Sequence, residues 1–440
     1  MQSAGLRGVP TQAICRMFTS TFFGWRVTGG AFVLAIFGWG LGFYSMPVLL
    51  GVLHETRGWS LGVISGAITL HLLVGSLMAA RLPALHARIG LARYTQMGAA
   101  LIAAGLFGWA LAWEPWQLYV AAVLSGAGWS SMSAAAVNAI VSPWFVRARP
   151  AALGMAYNGG SIGGVVFSPL WVAVIALLGF PYAVAVLGLT AAVIIWVIAA
   201  TLFARTPEQM GLRPDGDTQG TTPTNITSPD ARPLPGRLLW RDRRFLTLAA
   251  AMALSLFAQL GLVSHMFSLL LPAFGAHYAG LAIALVTAMA IVGRMVVGWL
   301  MPIDADRRIV ACVGYGAQLA GSLALLAANG TSVPLLLLGI ILFGAGFGNA
   351  TSMPPLVAQV EFVKDEVQRV VALVVGMGQM VFAFGPAAFG LIREMTASGA
   401  AASTGAAPWV FIAAAIFQGL AIMAMLLGRK ARQLVHPNPS

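Results

Sequence analysis

Apolar residues run along the chain in twelve long stretches, separated by short segments that carry nearly all of the charge. The stretches cover residues 27–53, 60–82, 92–113, 116–140, 150–178, 181–204, 246–272, 278–301, 309–328, 332–358, 370–392 and 407–428. A helix that crosses a bilayer needs about 20 mostly apolar residues, so each stretch predicts one membrane span. Nothing shows the ~10-residue alternation of an outer-membrane barrel strand. The first stretch is too long for a cleaved leader, and no small-residue cleavage pattern with a polar mature chain follows it. Met1 to Phe22 is more polar, and Met17 is a second candidate for the first residue.

Composition agrees with the pattern. Of 440 residues, 59% are hydrophobic and 9% charged, and the mean hydropathy is +0.85. A soluble domain carries roughly 25% charged residues. A soluble enzyme, a nucleic-acid-binding domain and a disordered chain are therefore excluded. Cys15 and Cys312 are far apart and the second lies in an apolar stretch, so no disulfide framework is expected.

The net charge of +12 is a topology signal. Lys and Arg collect on the cytoplasmic side of inserted helices. With the N-terminus inside, the cytoplasmic segments hold Arg7, Arg16, Arg26, Arg81, Arg88, Arg93, Arg147, Arg149, the seven arginines of residues 205–244, Arg307, Arg308, Lys364, Arg369, Arg429, Lys430 and Arg432. That places 22 of the 25 bases inside; Arg57 and Arg393 fall on outer loops and Arg294 inside span eight. The prediction is N-in and C-in, with a lipid bilayer and no nucleic acid as partner.

Residues 205–245 are rich in Pro, Thr, Asp and Arg and read as a linker. The flanking halves share a fixed offset. Gly126-Ala127-Gly128 in span four recurs 218 residues on as Gly344-Ala345-Gly346 in span ten, and Gly98-Ala99 recurs as Gly316-Ala317. Arg149 and Arg369 open spans five and eleven. The expected fold is an all-α membrane protein of twelve transmembrane helices in two pseudo-symmetric six-helix bundles. Its parts are a cytoplasmic segment 1–22, a bundle 23–204, a cytoplasmic linker 205–245, a bundle 246–428 and a tail 429–440. Duplicated halves of this kind hold a substrate between them near mid-membrane.

The segment Pro143-Trp144-Phe145-Val146-Arg147-Ala148-Arg149-Pro150-Ala151-Ala152-Leu153-Gly154 resembles the signature entering span five in the monocarboxylate transporter and oxalate–formate antiporter branch of the major facilitator superfamily. Gly293-Arg294-Met295-Val296-Val297-Gly298-Trp299 is similar to the span-eight segment in which that family holds a carboxylate-binding arginine. The resemblance covers about residues 24–204 and 244–428. It implies secondary transport of a small organic anion, a monocarboxylate above all, by proton symport or anion exchange. Three positions depart from the family: Ala87 replaces the acid of the loop between spans two and three, Ala290 the aspartate before the span-eight arginine, and Val48 the span-one lysine.

The residues themselves point the same way. Arg294 is an intramembrane charge with no acid in any span to pair with it. Such a charge costs about 2.5–3.5 kcal/mol to insert and marks a functional site by default. Its guanidinium matches a carboxylate bidentately. The alternative is that it snorkels to the cytoplasmic interface. Tyr44, Tyr157, Asn158, His265, Asn349 and Gln379 are candidates to complete a polar pocket, with interhelical bonding as the alternative for each. Trp129 and Phe347, at matching positions, line the cavity or pack. His71 and His265 are the imidazoles inside spans and so the candidates for proton coupling.

Polar residues make spans four, seven and ten the expected lining of an aqueous path, with spans six and twelve toward lipid. Gly159, Gly160, Gly163 and Gly164 predict close helix approach on span five. Pro169, Pro354, Pro355 and Pro386 predict bends. Arg88 and Arg149 are candidate gating residues on the cytoplasmic loops. No nucleotide motif, metal cluster or nucleophile–base pair is present in the spans, so no cofactor and no enzymatic activity are expected. The chain reads as a monomer of the inner (plasma) membrane. The other reading on the same fold is an efflux carrier for drugs or amphiphiles.

Overall fold

Backbone groups inside a bilayer have no water to bond, so every spanning segment must satisfy itself as a helix. The computed structural model describes residues 22–146, 148–216, 236–302, 305–396 and 407–429. Cys15, Met17, Arg147, Lys430, Arg432, linker residues 217–235 and nearly all of the 1–22 segment lie outside them. The described residues form helices and no strand.

Eleven helical units are long and apolar enough to cross a membrane. One of them, Arg243–Leu300, has 58 residues and holds a non-helical Gly275 at φ +70°. Divided there, it supplies spans seven and eight, consistent with twelve crossings. The others follow the sequence closely: Phe23–Arg57, Leu61–Ala80, Leu91–Leu111, Pro115–Trp144, Ala151–Leu178 and Phe180–Phe203 are spans one to six, and Arg307–Ala328, Val333–Glu361, Arg369–Thr396 and Pro408–Leu427 are nine to twelve. Helix starts are fixed by local chemistry. Asp242 and Asp306 each accept two backbone N–H bonds at the starts of spans seven and nine. Glu114 and Gln117 form a capping box on span four.

The glycines of the repeated Gly-Ala-Gly do matching jobs, whereas Gly98 presses on Ser131 and its counterpart Gly316 meets nothing. A side chain at Gly126 would run into the His71 backbone of span two, and one at Gly344 into the Val286 backbone of span eight. Gly128 presses on the backbone of span three, and Gly346 on that of span nine. On span five, Gly159 and Gly163 meet span-one carbonyls, as the small-residue spacing predicted. Gly126→Val and Gly344→Val are each expected to cost about 3 kcal/mol by overpacking. Folded yield on size-exclusion chromatography checks this, with Gly154→Ala, where a new Cβ meets nothing, as the unaffected control.

Four spans are interrupted near their middle. Span one breaks between Gly42 and Met46, where Pro47 has no N–H to continue the ladder. Span four breaks between Ser130 and Ala134, where the Ser130, Ser131 and Ser133 hydroxyls bond local carbonyls. Span ten breaks at Gly348, and span eleven between Phe382 and Gly385, just before Pro386.

The face that carries the linker is the one the basic residues mark as cytoplasmic; the other is the far face. Among the described residues the Tyr44 hydroxyl bonds Thr287 of the other half beside the candidate site, and three further bonds join the halves on the far side of the middle. The Gly62 N–H donates to Glu394 (2.8 Å), the Ala387 N–H donates to the Thr69 hydroxyl (3.2 Å), and His265 meets Ser65 (3.4 Å). Spans five and eight also meet, Thr287 against Gly164 and Gly280 against Val172. The bonds between the halves thus gather at and beyond the middle, toward the far side.

Two sequence expectations need correction. Arg393 does not sit on an outer loop: it belongs to helix Gly385–Thr396 and its guanidinium turns inward to donate to the Ser268 hydroxyl at 2.5 Å. Arg57 likewise ends helix Met46–Arg57, lies over the Trp113 ring at 4.0 Å and donates to the Ala110 carbonyl. Span eleven is longer than 370–392 for the same reason, its two helices running from Lys364 to Thr396.

Candidate functional site

At the break in span ten three successive carbonyls are each met by a long side chain from a different span, and the Gly348 carbonyl also accepts the Ser352 hydroxyl at 3.1 Å. Gln318 of span nine donates to Gly346 (3.1 Å), Gln259 of span seven to Phe347 (3.0 Å), and Arg294 Nε of span eight to Gly348 (3.3 Å). Buried carbonyls need such partners, so the break and the arginine hold one another in place. Asn349 strengthens the joint: its Nδ2 donates to Gly293, the residue before Arg294, at 3.3 Å, while its buried Oδ1 has no partner among the described residues.

Arg294 is half-buried, six residues before its helix ends. Ion pairs among the described residues join Arg308 to Glu361 and Arg429 to Asp306, and neither involves Arg294. Tyr44, at the break of span one, lies within electrostatic reach of Arg294. Tyr44 and Thr287 both crowd Gly164 of span five, so spans one, five and eight converge there. Thr287 precedes Arg294 by two helical turns and shares its face. Phe43 stacks on Phe382 across the halves with ring centroids 6.0 Å apart. The arrangement offers a fixed cation, a bonded pair of hydroxyls and an apolar wall where the two halves meet.

The other predicted residues scatter. Asn158 is exposed on span five and Gln379 half-buried on span eleven. The Tyr157 hydroxyl donates to the Ala134 carbonyl at the span-four break. Trp129 packs edge-on against Trp39, and Phe347 tilts against Phe343. The serines of span four are buried in bonds within their own half, so this span contributes less lining than expected. Span twelve faces lipid with Trp409 and Ile416 but turns Gln418 inward to Ser322 at 2.9 Å. Arg149 donates to the Phe145 and Ser142 carbonyls and so caps the span-four end, while Arg88 is exposed.

The two histidines differ. His71 is fully buried, with Nε2 at 3.0 Å from the Gly42 carbonyl and Nδ1 at 2.8 Å from the Ser125 hydroxyl. A carbonyl only accepts, so Nε2 carries the proton and Nδ1 accepts; the neutral ring is fully used as a staple between spans one, two and four. Proton coupling is therefore not proposed for His71. His71→Phe is expected to cost about 1–3 kcal/mol by stranding the Gly42 and Ser125 groups. Thermal unfolding measures that, and any proton-gradient dependence of transport should survive the change. His265 lies on the far-side seam, its Nε2 donating to the Pro386 carbonyl at 3.1 Å. It stands with the closure and not with Arg294.

Sequence reasoning missed Thr287, Gln259 and Gln318 as parts of this site, and Glu394 as a latch. The seven-residue spacing from Thr287 to Arg294 was the one available signal. Glu394 bonds the first turn of span two, where a carboxylate also meets the helix dipole. Glu394→Gln is expected to weaken the closure by about 1 kcal/mol, several-fold in population. Spin labels at the exposed Ser60 and Met395 would then report a larger fraction at long separation.

Interrupted membrane helices that meet around a charged residue are a device by which membrane carriers build a substrate site. The sequence matches the Major Facilitator Superfamily over residues 93–386. No curated protein sequence matches the chain. Among solved structures it is similar to the nucleoside transporter NupG, at 13% identity and a TM-score of 0.69, covering 91% of this chain and 98% of that one. It is also similar to a bacterial homologue of the human lysosomal transporter Spinster in an inward-facing and occupied conformation, at 13% identity and a TM-score of 0.67, covering 93% and 97%. The unoccupied form of that homologue gives 15% identity and 0.65, covering 94% and 100%. The chain belongs to the major facilitator superfamily. It is a multi-pass membrane protein with the fold of a secondary transporter for a small-molecule substrate.

Proposed function

We propose that the chain carries a small organic anion, a monocarboxylate above all, across the inner (plasma) membrane by alternating access, as proton symport or anion exchange. The observation behind this is Arg294: a guanidinium within span eight with no carboxylate partner among the described residues, held by Nε on the Gly348 carbonyl. Bonding through Nε alone leaves the two terminal nitrogens to grip a carboxylate. Tyr44 and Thr287, bonded to one another beside Arg294, would exchange that bond for the rest of a small hydroxy- or oxo-acid. Rocking of the halves would open the far-side seam and close the linker side.

The test is uptake of radiolabelled lactate, pyruvate, oxalate and formate into proteoliposomes, with and without an inward proton gradient or an internal anion. Saturable uptake of one of these acids supports the reading, and the gradient or the internal anion that drives it separates symport from exchange. Failure of all four overturns it and brings efflux of amphiphiles forward.

A further inference from the structure

Span two lays one face along the far-side seam. Gly62, Ser65 and Thr69 recur at helical spacing, and they meet Glu394, His265 and the Ala387 N–H of the C-terminal half. Gly390 presses on the same Ser65, so spans two and eleven touch along this line. All of these contacts cross the halves, and they part when the halves rock.

Beside that line lies a charge without a counterion. Arg393 NH1 donates to the Ser268 hydroxyl at 2.5 Å, and both residues belong to the C-terminal half. The ion pairs among the described residues are Arg308–Glu361 and Arg429–Asp306, and neither involves Arg393. Its Nε and NH2, one edge of the guanidinium, bond nothing among the described residues. Glu394, next in sequence, gives its carboxylate to the Gly62 N–H. Residues 397–407, which follow the helix, contain no acid. His265, one turn before Ser268 on span seven, is fully buried and within electrostatic reach of Arg393. Its Nε2 donates to the Pro386 carbonyl, while Nδ1 is buried with no partner among the described residues. The cluster is thus unsaturated: a cation with an open edge beside an idle ring nitrogen. An ionisable residue kept inside a span in this way marks an ion pathway.

The depth separates this cation from the first one. Arg294 lies six residues before the linker-side end of span eight, and Arg393 three residues before the far end of span eleven. Phe382, which stacks on Phe43 beside Tyr44, precedes Arg393 by roughly 16 Å of helix at about 1.5 Å per residue. One small acid cannot touch both cations.

We propose that Arg393, backed by Ser268, is the far-side station of the anion path: it receives the carboxylate of the transported acid before Arg294 does, and releases it last in the other direction. This rests on the organic-anion reading of Arg294. With the seam closed, the guanidinium rests on Ser268. With span two moved away, its Nε–NH2 edge takes two carboxylate oxygens. Arg393 and Ser268 share a half, so the station passes through the opening intact. A cation at the mouth also raises the local concentration of anions.

The experiment measures uptake of the same four acids from each face separately, in right-side-out and inside-out membrane vesicles. Arg393→Gln is expected to raise KM at least about tenfold from the far face and to leave the cytoplasmic-face KM within about twofold. Arg393→Lys, which keeps the charge without the fork, should fall between. A residue that only stiffens the seam would move both faces together or neither, and either result overturns the proposal. If wild-type vesicles take up none of the acids, the carboxylate reading itself fails and this one with it. If Arg393→Gln does not reach the membrane, the wild type decides. A membrane-impermeant arylglyoxal applied to right-side-out vesicles should modify Arg393 severalfold more slowly when the transported acid is present, as read by peptide mass spectrometry. An unchanged rate overturns the proposal.

Discussion

Arg294→Ala is expected to lower uptake of a small carboxylate at least about a hundredfold at unchanged protein level. A hydrogen bond to a charged group contributes about 1.5–3 kcal/mol, and a bidentate grip makes two of them. Each 1.4 kcal/mol is a factor of about ten. Arg294→Lys keeps the charge but cannot span two carboxylate oxygens while also reaching Gly348, so a loss of about tenfold or more is expected from it as well. Initial rates in proteoliposomes over a range of substrate concentrations measure both. Alanine also leaves the Gly348 carbonyl without its long-range partner, so the loss should include a higher apparent KM and not only a lower rate. Full activity in Arg294→Ala would remove the carboxylate reading.

The second large effect is on stability. Arg308 is 1% exposed and all its donors are taken, two sets of them by the Glu361 carboxylate. Taking one member from a buried ion pair costs about 3–5 kcal/mol, because the other is left as an uncompensated buried charge. Glu361→Gln is expected to destabilise the protein by that amount, with a clear fall in melting temperature in detergent. The paired change Arg308→Met with Glu361→Leu should recover much of the loss, since a well-packed apolar pair can replace a buried ionic one. If the single change costs under about 1 kcal/mol, the pair behaves as a surface one.

Much of the architecture was legible because it rests on properties that sequence displays directly. Span length and the 218-residue recurrence of Gly-Ala-Gly translate into helices and close backbone approaches. Arg294 was legible because an ionisable residue in an apolar stretch stands out. What holds Arg294 was not. Its partner is a backbone carbonyl freed by a break at Gly348, and every residue has a carbonyl, so no letter marks it. The same holds for Gln259 and Gln318, whose roles follow from the break. His71 read as a proton site because imidazole chemistry is visible and its bonds to Gly42 and Ser125 are not. Arg393 and Glu394 read as loop-like because charge near a span end looks solvated, whereas the bend before Pro386 turns that end into the far-side seam.

The way Arg294 is held has an electrical consequence. A carbonyl fixes the guanidinium without neutralising it, so the empty site carries one positive charge, and the site with a monocarboxylate aboard carries none. Moving a unit charge through the full membrane field is worth about 2.3 kcal/mol per 100 mV. On the proposed function, an inside-negative voltage holds the empty carrier with its site toward the cytoplasm and leaves the loaded carrier indifferent. Returning empty is uphill, whereas returning with a second anion is not. The membrane potential therefore ranks exchange of one anion for another above unaccompanied return.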